Sequence, residues 1–215
     1  MYNLHCHSLL SDGALLPSEI AVRFSSIGYK AIAITDHADY SNIEEVVKSI
    51  LKFTKNWAKS SVPIKVFPGI ELTHLPLDQF KPLARYARKE GIKIIVGHGE
   101  TLAEPVIKGT NRAALVADID ILAHPGLITE EDAEFAKKRK IFLEITSRQS
   151  HAISNRHVAE VALKIGANLI LNMDAHEPED IIPPSGLIET GIRAGLTQAQ
   201  AETTFNKVED FLLKK

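Results

Sequence analysis

The chain has 215 residues, with 25 Lys+Arg against 27 Asp+Glu, a formal net charge of −2, and 45% hydrophobic and 24% charged residues. This balance excludes a polybasic membrane segment and the electrostatic footprint of a general nucleic-acid binder, while a nucleotide substrate stays open. A single cysteine, Cys6, excludes an intrachain disulfide and any multi-cysteine zinc or iron–sulfur cluster.

The first residues lack a signal-peptide pattern and no stretch approaches ~18 uninterrupted apolar residues, so a cytoplasmic, membrane-free location is expected. Residues 1–215 read as one domain. The opening Tyr2–Cys6 is a plausible strand, followed by a helical segment over Pro17–Ile27. Apolar, β-branched strands are then expected at Ala31–Thr35, Ile64–Glu71, Ile92–Gly97, Ile119–Ala123, Ile141–Ile145 and Asn168–Asn172. Between them, helical spacing covers Asn42–Lys59, Lys81–Glu90, Asn111–Ala117, Glu130–Lys140 and Ser154–Ile165. Gly28, Gly91 and Gly166 each stand where a helix ends before a strand begins. Beyond Pro183-Pro184, helical stretches at Ser185–Ala194 and Thr197–Leu213 form a C-terminal cap.

Strand alternating with helix implies parallel βα units with right-handed crossovers. Seven such units favour a barrel-like closure, with an open doubly wound sheet as the alternative.

Nearly every expected strand ends in a histidine or carboxylate: His5 and His7 with Asp12, Asp36-His37, Glu71, His98, His124, Glu144, and Asp174 with His176. That is the carboxyl end of a parallel barrel, where βα loops converge on active sites. Residues i and i+2 of a strand share a face, so His5 and His7 can grip one ion, and Asp174 and His176 repeat the arrangement on the last strand. Cys6, between the two histidines, points away. Imidazole with carboxylate and no thiolate suits an open catalytic site for zinc, iron or manganese rather than a closed structural one. Nine candidate ligands (His5, His7, Asp12, His37, Glu71, His98, His124, Asp174, His176) exceed one coordination sphere and fit two or three ions.

These motifs, with Ser11-Asp12-Gly13, Thr35-Asp36-His37, Gly69-Ile70-Glu71, Gly97-His98, His124-Pro125-Gly126 and Asp174-Ala175-His176 in order from residue 4 to about 176, resemble the polymerase and histidinol phosphatase (PHP) family. The resemblance implies a distorted seven-stranded (β/α)7 TIM-like barrel that hydrolyses phosphoesters at a trinuclear metal site. It implies that His5, His7, Glu71 and Asp174 hold the first ion, that Glu71 bridges to a second held also by His98 and His124, and that Asp12, His37 and His176 hold the third. Asp12 departs from relatives that carry histidine there, which makes magnesium possible at the third site beside manganese or iron. The implied mechanism is attack on phosphorus by a metal-activated hydroxide.

Other polar residues carry weaker signals. Asp36 and Glu144 are expected either to orient a ligating imidazole or to be structural. Arg148 is a candidate for a bidentate phosphoryl contact and His151 for protonating the leaving oxygen, with Asn155 a helix cap. His74 lies in a loop and is expected to be solvated unless it lines the pocket, and His157 is expected on a helix surface. Arg112 reads as a surface arginine, and the Lys137–Lys140 run as a solvated helix end.

The expected function is hydrolysis of a small phosphomonoester, the small phosphorylated substrate being the only partner read from the sequence. The alternatives are a phosphodiesterase or exonuclease acting on short nucleic acid or nucleotides, and a non-catalytic scaffold like the ribonuclease P barrel subunit. An intact ligand set weighs against the scaffold. The lack of a basic stripe or aromatic series weighs against long polynucleotides.

Overall fold

Apolar runs without alternation form strands when both faces are covered, and that is the arrangement the chain adopts. The computed structural model describes residues 1–215. In chain order the elements are β1 (Tyr2–Asn3), α1 (Pro17–Ser26), β2 (Ala31–Ile34), β3 (His37–Ala38), α2 (Ile43–Trp57), β4 (Lys65–Leu72), α3 (Phe80–Glu90) and β5 (Ile94–His98). There follow α4 (Thr110–Val116), β6 (Ile121–Ala123), α5 (Glu130–Arg139), β7 (Phe142–Thr146), α6 (Asn155–Ile165), β8 (Asn168–Asn172), α7 (Pro184–Arg193) and α8 (Gln198–Leu212). Every residue of β2, β5, β6 and β7 is buried.

All pairings are parallel, in the order β1-β2-β4-β5-β6-β7-β8. The short β3 also pairs with β4, and it keeps the register of β2: Ala31 faces Lys65 as His37 faces Glu71. β2 and β3 are therefore one barrel position interrupted at Thr35-Asp36, and the barrel has the seven positions expected from the sequence. It closes through a single parallel bridge between Cys6 and Ala175, with His7 N donating to Ala175 O at 2.8 Å and Asp174 N to His5 O at 3.0 Å.

The expected first strand, Tyr2–Cys6, is shorter in the structure because side chains replace backbone partners at this seam. Leu4 N donates to Asn172 Oδ1 and Met173 N to Asn3 Oδ1, each at 2.8 Å. Asn172 Nδ2 also donates to Glu144 Oε1 at 2.9 Å. All three residues are buried, so removing one amide leaves donors dry, at about 1–3 kcal/mol each. Asn172→Leu is expected to lower the melting temperature by several degrees, at roughly 2–4 °C per kcal/mol for a chain of this size. An unchanged melting curve would show that the seam is held by packing alone. Outside the seam, α8 packs on β8 and β1, and α7 on β8, as expected of a terminal cap.

Gly91 and Gly166 end α3 and α6 with left-handed φ of 111° and 76°, as their spacing predicts. At the end of α5 Lys140 takes the same conformation with no glycine signal. No helix is long and apolar enough to cross a membrane.

Candidate metal centre

Eight of the nine predicted ligands lie at strand ends on one end of the barrel, and the ninth reaches it from a loop. His5 and His7 follow β1, His37 opens β3, Glu71 lies near the end of β4, His98 closes β5, His124 follows β6, and Asp174 and His176 follow β8. Asp12 arrives from the loop before α1. Donor atoms of His5, His7 and Glu71 lie within 4.8 Å of one another, as do those of Glu71, His98 and His124, and those of His7, Asp12, His37 and His176.

Glu71 is the centre of this arrangement. Its Oε2 lies 2.8 Å from His37 Nδ1, 3.5 Å from His5 Nε2 and 3.6 Å from His7 Nε2, and its Oε1 lies 3.7 Å from His124 Nε2. Asp174 Oδ1 is 3.1 Å from His7 Nε2 and 3.4 Å from His5 Nε2. The backbone is strained to achieve this. Positive φ occurs at four non-glycine residues, and three of them are in or beside the site: His124 (28°), His74 (52°) and Asp174 (54°).

Behind these residues, Glu144 is fully buried in the middle of β7 and holds three neighbours. Its Oε1 receives His5 Nδ1 at 2.7 Å and Asn172 Nδ2 at 2.9 Å, and its Oε2 receives His124 N at 3.1 Å. A carboxylate can only accept, so His5 donates from Nδ1, and in the neutral ring Nε2 presents a lone pair to Asp174 and Glu71. Lone pair facing carboxylate is repulsive unless a cation lies between them. Six buried side-chain atoms have no hydrogen-bond partner: His5 Nε2, His7 Nδ1 and Nε2, both oxygens of Glu71, and His124 Nδ1. All belong to predicted ligands, and each dry group costs about 1–3 kcal/mol. The donor set, imidazole and carboxylate around shared gaps, fits divalent metal ions.

The motif order, the strand ends and the cleft lead to one comparison. Residues 3–156 match the PHP domain family. The chain belongs to the PHP family. The uncharacterized protein MJ1295 of Methanocaldococcus jannaschii is 41% identical over 215 residues, spanning 100% of this chain and 99% of that protein. DNA polymerase/3'-5' exonuclease PolX of Bacillus subtilis is 25% identical over 82% of this chain, which spans only 34% of PolX. Among solved structures, histidinol phosphate phosphatase of Lactococcus lactis, determined with zinc, L-histidinol and phosphate, superposes with a TM-score of 0.64 at 15% identity. That alignment covers 91% of this chain and 94% of the phosphatase, and it supports the barrel fold.

Electrostatics in this PHP site follow from packing charges in a dry space. Burial pulls His5 down, but Glu144, Asp174 and Glu71 outweigh it and raise its pKa well above the usual value. His7 and His124 are lowered well below, by burial and then by neighbouring histidines. Burial would raise Glu71, and His5 and His37 overcome it. Asp174 is pushed up to about 7 by burial, with Glu71 and Glu144 adding to the shift.

A cleft of about 510 Å³ opens above the ligands, lined by fifteen residues of which only Ala38 is apolar. Arg148 and His151 line it. Arg148 Nη1 lies 2.9 Å from His176 Nδ1 and 3.5 Å from Asp180 Oδ2. His151 stacks on His124 with ring centroids 4.2 Å apart, and its Nδ1 is 2.7 Å from Thr101 Oγ1. Asn155 brackets Thr146, accepting from its N and donating to its O, which fixes the exit of β7.

Three expectations need correction or refinement. Asp36 orients no imidazole; it accepts from Ser8 N, Ser8 Oγ and Ser11 Oγ at 2.7–2.9 Å and pins the loop that carries Asp12. His157 is half-buried rather than on the surface, because its Nε2 donates to Ile128 O at 2.8 Å. His74 is 46% exposed, yet it lines the cleft and contacts Glu104. Arg112 is engaged by Asp132 and Glu131, away from the cleft. Glu104 itself, in the loop before α4, was not anticipated. The neighbouring His98 imidazole holds its carboxyl down at about 2. Cys6 points its Sγ to Ala33 O at 3.2 Å, away from the histidines as expected.

Proposed function

We propose that this PHP-family chain is a metal-dependent phosphoesterase that hydrolyses a small phosphomonoester at a site holding two to three divalent ions. The observation that carries the reading is the set of six partnerless buried donor and acceptor atoms beneath a polar cleft. Eight of the nine residues would hold the ions in the three groups described, with Asp174 beside His5 and His7, and with zinc, manganese or iron favoured and magnesium possible at the Asp12 group. When bound, such ions supply an acidified water as nucleophile and positive charge for the phosphoryl oxygens.

The chain's own side chains bind, orient and donate. Arg148 is the one Lys or Arg lining the cleft, and its guanidinium can fork to two phosphoryl oxygens once released from Asp180. Ser8 and Ser11 hold Asp36, which keeps Asp12 in place. His151 is placed to donate to the leaving oxygen. Burial sets its pKa at about 4, and the negative charge of a bound phosphate acts in the opposite direction. With Asp39 and Glu104 at the mouth, the cleft suits a compact polar substrate and repels a long polyanion.

Arg148→Ala is expected to lower kcat/KM for a phosphomonoester by about 10–100-fold, the cost of one charged hydrogen-bonded contact of roughly 1.5–3 kcal/mol. Unchanged efficiency would remove Arg148 from the site. A second reading, exonuclease or phosphodiesterase, is favoured by relatives with those names, including a 5'-3' exoribonuclease of Haemophilus influenzae that is 33% identical over 34% of this chain and 23% of its own length. Parallel assays with an aryl phosphomonoester and its diester separate the two. A diester preference would move the reading to short oligonucleotides.

A further inference from the structure

The loop between β5 and α4 is fastened at its neck. Glu100 Oε1 accepts from Gly109 N at 2.9 Å and Asn111 N at 3.0 Å, while Asn111 Oδ1 accepts from Glu100 N at 2.9 Å. Gly126 fits beneath it only because it has no side chain, since a Cβ there would lie 1.8 Å from Glu100 O. Such a compact loop with closed ends presents its tip in a defined place. The tip presents Glu104 to the cleft.

The Glu104 carboxylate has no lysine or arginine partner. Its Oε2 lies 3.0 Å from His74 Nε2 and 3.4 Å from His98 Nε2, and its Oε1 lies 3.6 Å from His151 Nε2. His98 Nδ1 is 3.0 Å from Gly99 O, and a carbonyl can only accept, so Nδ1 carries a hydrogen and Nε2 of the neutral ring is a lone pair. That lone pair faces a carboxylate oxygen. A proton or a metal ion must lie between them, and the spacing fits a metal. Ligand atoms about 2.0–2.1 Å from a tetrahedral ion sit about 3.4 Å apart, and those of His74, His98 and Glu104 lie within 4.8 Å of one another. His74 reaches this position from a left-handed backbone with φ of 52°, a conformation that costs energy for a residue with a side chain.

We propose that His74, His98 and Glu104 form a divalent-cation site at the rim of the cleft, sharing His98 with the inner group of Glu71 and His124. The inference rests on the metal-dependent reading above but concerns residues outside the nine predicted ligands, apart from His98. Two imidazoles and one carboxylate with open positions suit zinc, manganese or ferrous iron better than calcium. Because one lone pair serves one ion, His98 links the rim to the inner position, and the rim is where an ion enters or is retained.

The test is zinc titration of metal-free protein against a chromophoric chelator, with bound zinc counted by elemental analysis, for wild type, His74→Ala and Glu104→Gln. Both substituted side chains are about half exposed, and melting curves confirm folding. The inference predicts that each variant keeps the number of bound zinc ions but binds one class of zinc at least tenfold more weakly, with the other classes unchanged. Cobalt substitution should change its d–d absorption in the same variants. Variants equal to wild type in number and affinity would overturn the rim site alone, and a proton would then be the cation between His98 and Glu104. A wild type that binds no zinc would overturn both this site and the metal-dependent reading.

Discussion

Stripping divalent metal is expected to lower the melting temperature by roughly 8–16 °C. A ligand present at about a thousand times its dissociation constant stabilises by about 4.1 kcal/mol, and each kcal/mol moves the midpoint by roughly 2–4 °C in a chain of this size. The source of the effect is local: six buried polar atoms of His5, His7, Glu71 and His124 have no partner without the ion. The gain should also depend on pH. In the metal-free protein His5 is raised and His37 is raised to about 10, burial lowering both and the adjacent carboxylates more than compensating. Groups whose folded pKa is raised stabilise the protein below their unfolded pKa, and the benefit fades as pH rises through the folded value. Between pH 7 and 10 the metal-free protein therefore loses stability, while proton competition for the ligands weakens. The difference between metal-loaded and metal-free midpoints should widen across that window in calorimetry. Midpoints that ignore both chelator and pH would contradict the metal centre.

The second large effect is expected at Glu71, whose carboxylate is the point shared by the inner groups. Glu71→Gln keeps the shape and removes the charge. Because Glu71 helps to raise His5 and His37, loss of its charge removes part of that pairing, and the metal-free variant should melt somewhat lower than metal-free wild type at neutral pH while still folding. What should disappear is the stabilisation by metal and the reaction itself. We expect at least one bound ion to be lost and kcat to fall about a thousandfold or more, the scale on which electrostatic stabilisation of a developing charge contributes. Elemental analysis and steady-state kinetics on one preparation check both. Retained metal with retained activity would remove Glu71 from the centre. A collapse of the metal-free variant would show that its role is structural.

The barrel was legible because its grammar is local: buried β-branched runs, helical spacing, and glycine at helix ends. The convergence of the candidate ligands was legible because strand ends meet in a parallel barrel, so chain order brought His5, Glu71, His98 and Asp174 together. What escaped was what depends on contacts across the fold. The first strand is short because the Asn3 side chain accepts from Met173 N and the Asn172 side chain from Leu4 N, 170 and 168 positions apart in sequence. Asp36 takes the structural one of its two expected roles, and its serine partners, Ser8 and Ser11, are a contact between loops that spacing does not reveal. Lys140 ends a helix in the conformation usually left to glycine. Glu104 lies in a loop with no periodicity, between Ala103 and Pro105, and only the clamp between Glu100 and Asn111 shows where its carboxylate points.

The central claim is that a metal-loaded cleft hydrolyses small phosphomonoesters. The most direct measurement is the rate of hydrolysis of an aryl phosphomonoester by protein reconstituted with manganese or zinc, compared with the same protein in excess chelator. The account predicts turnover with the ion, loss of that turnover in chelator, and a monoester rate at least about tenfold above that of the matching diester. A reconstituted protein that binds its ions and hydrolyses neither ester above background would contradict it.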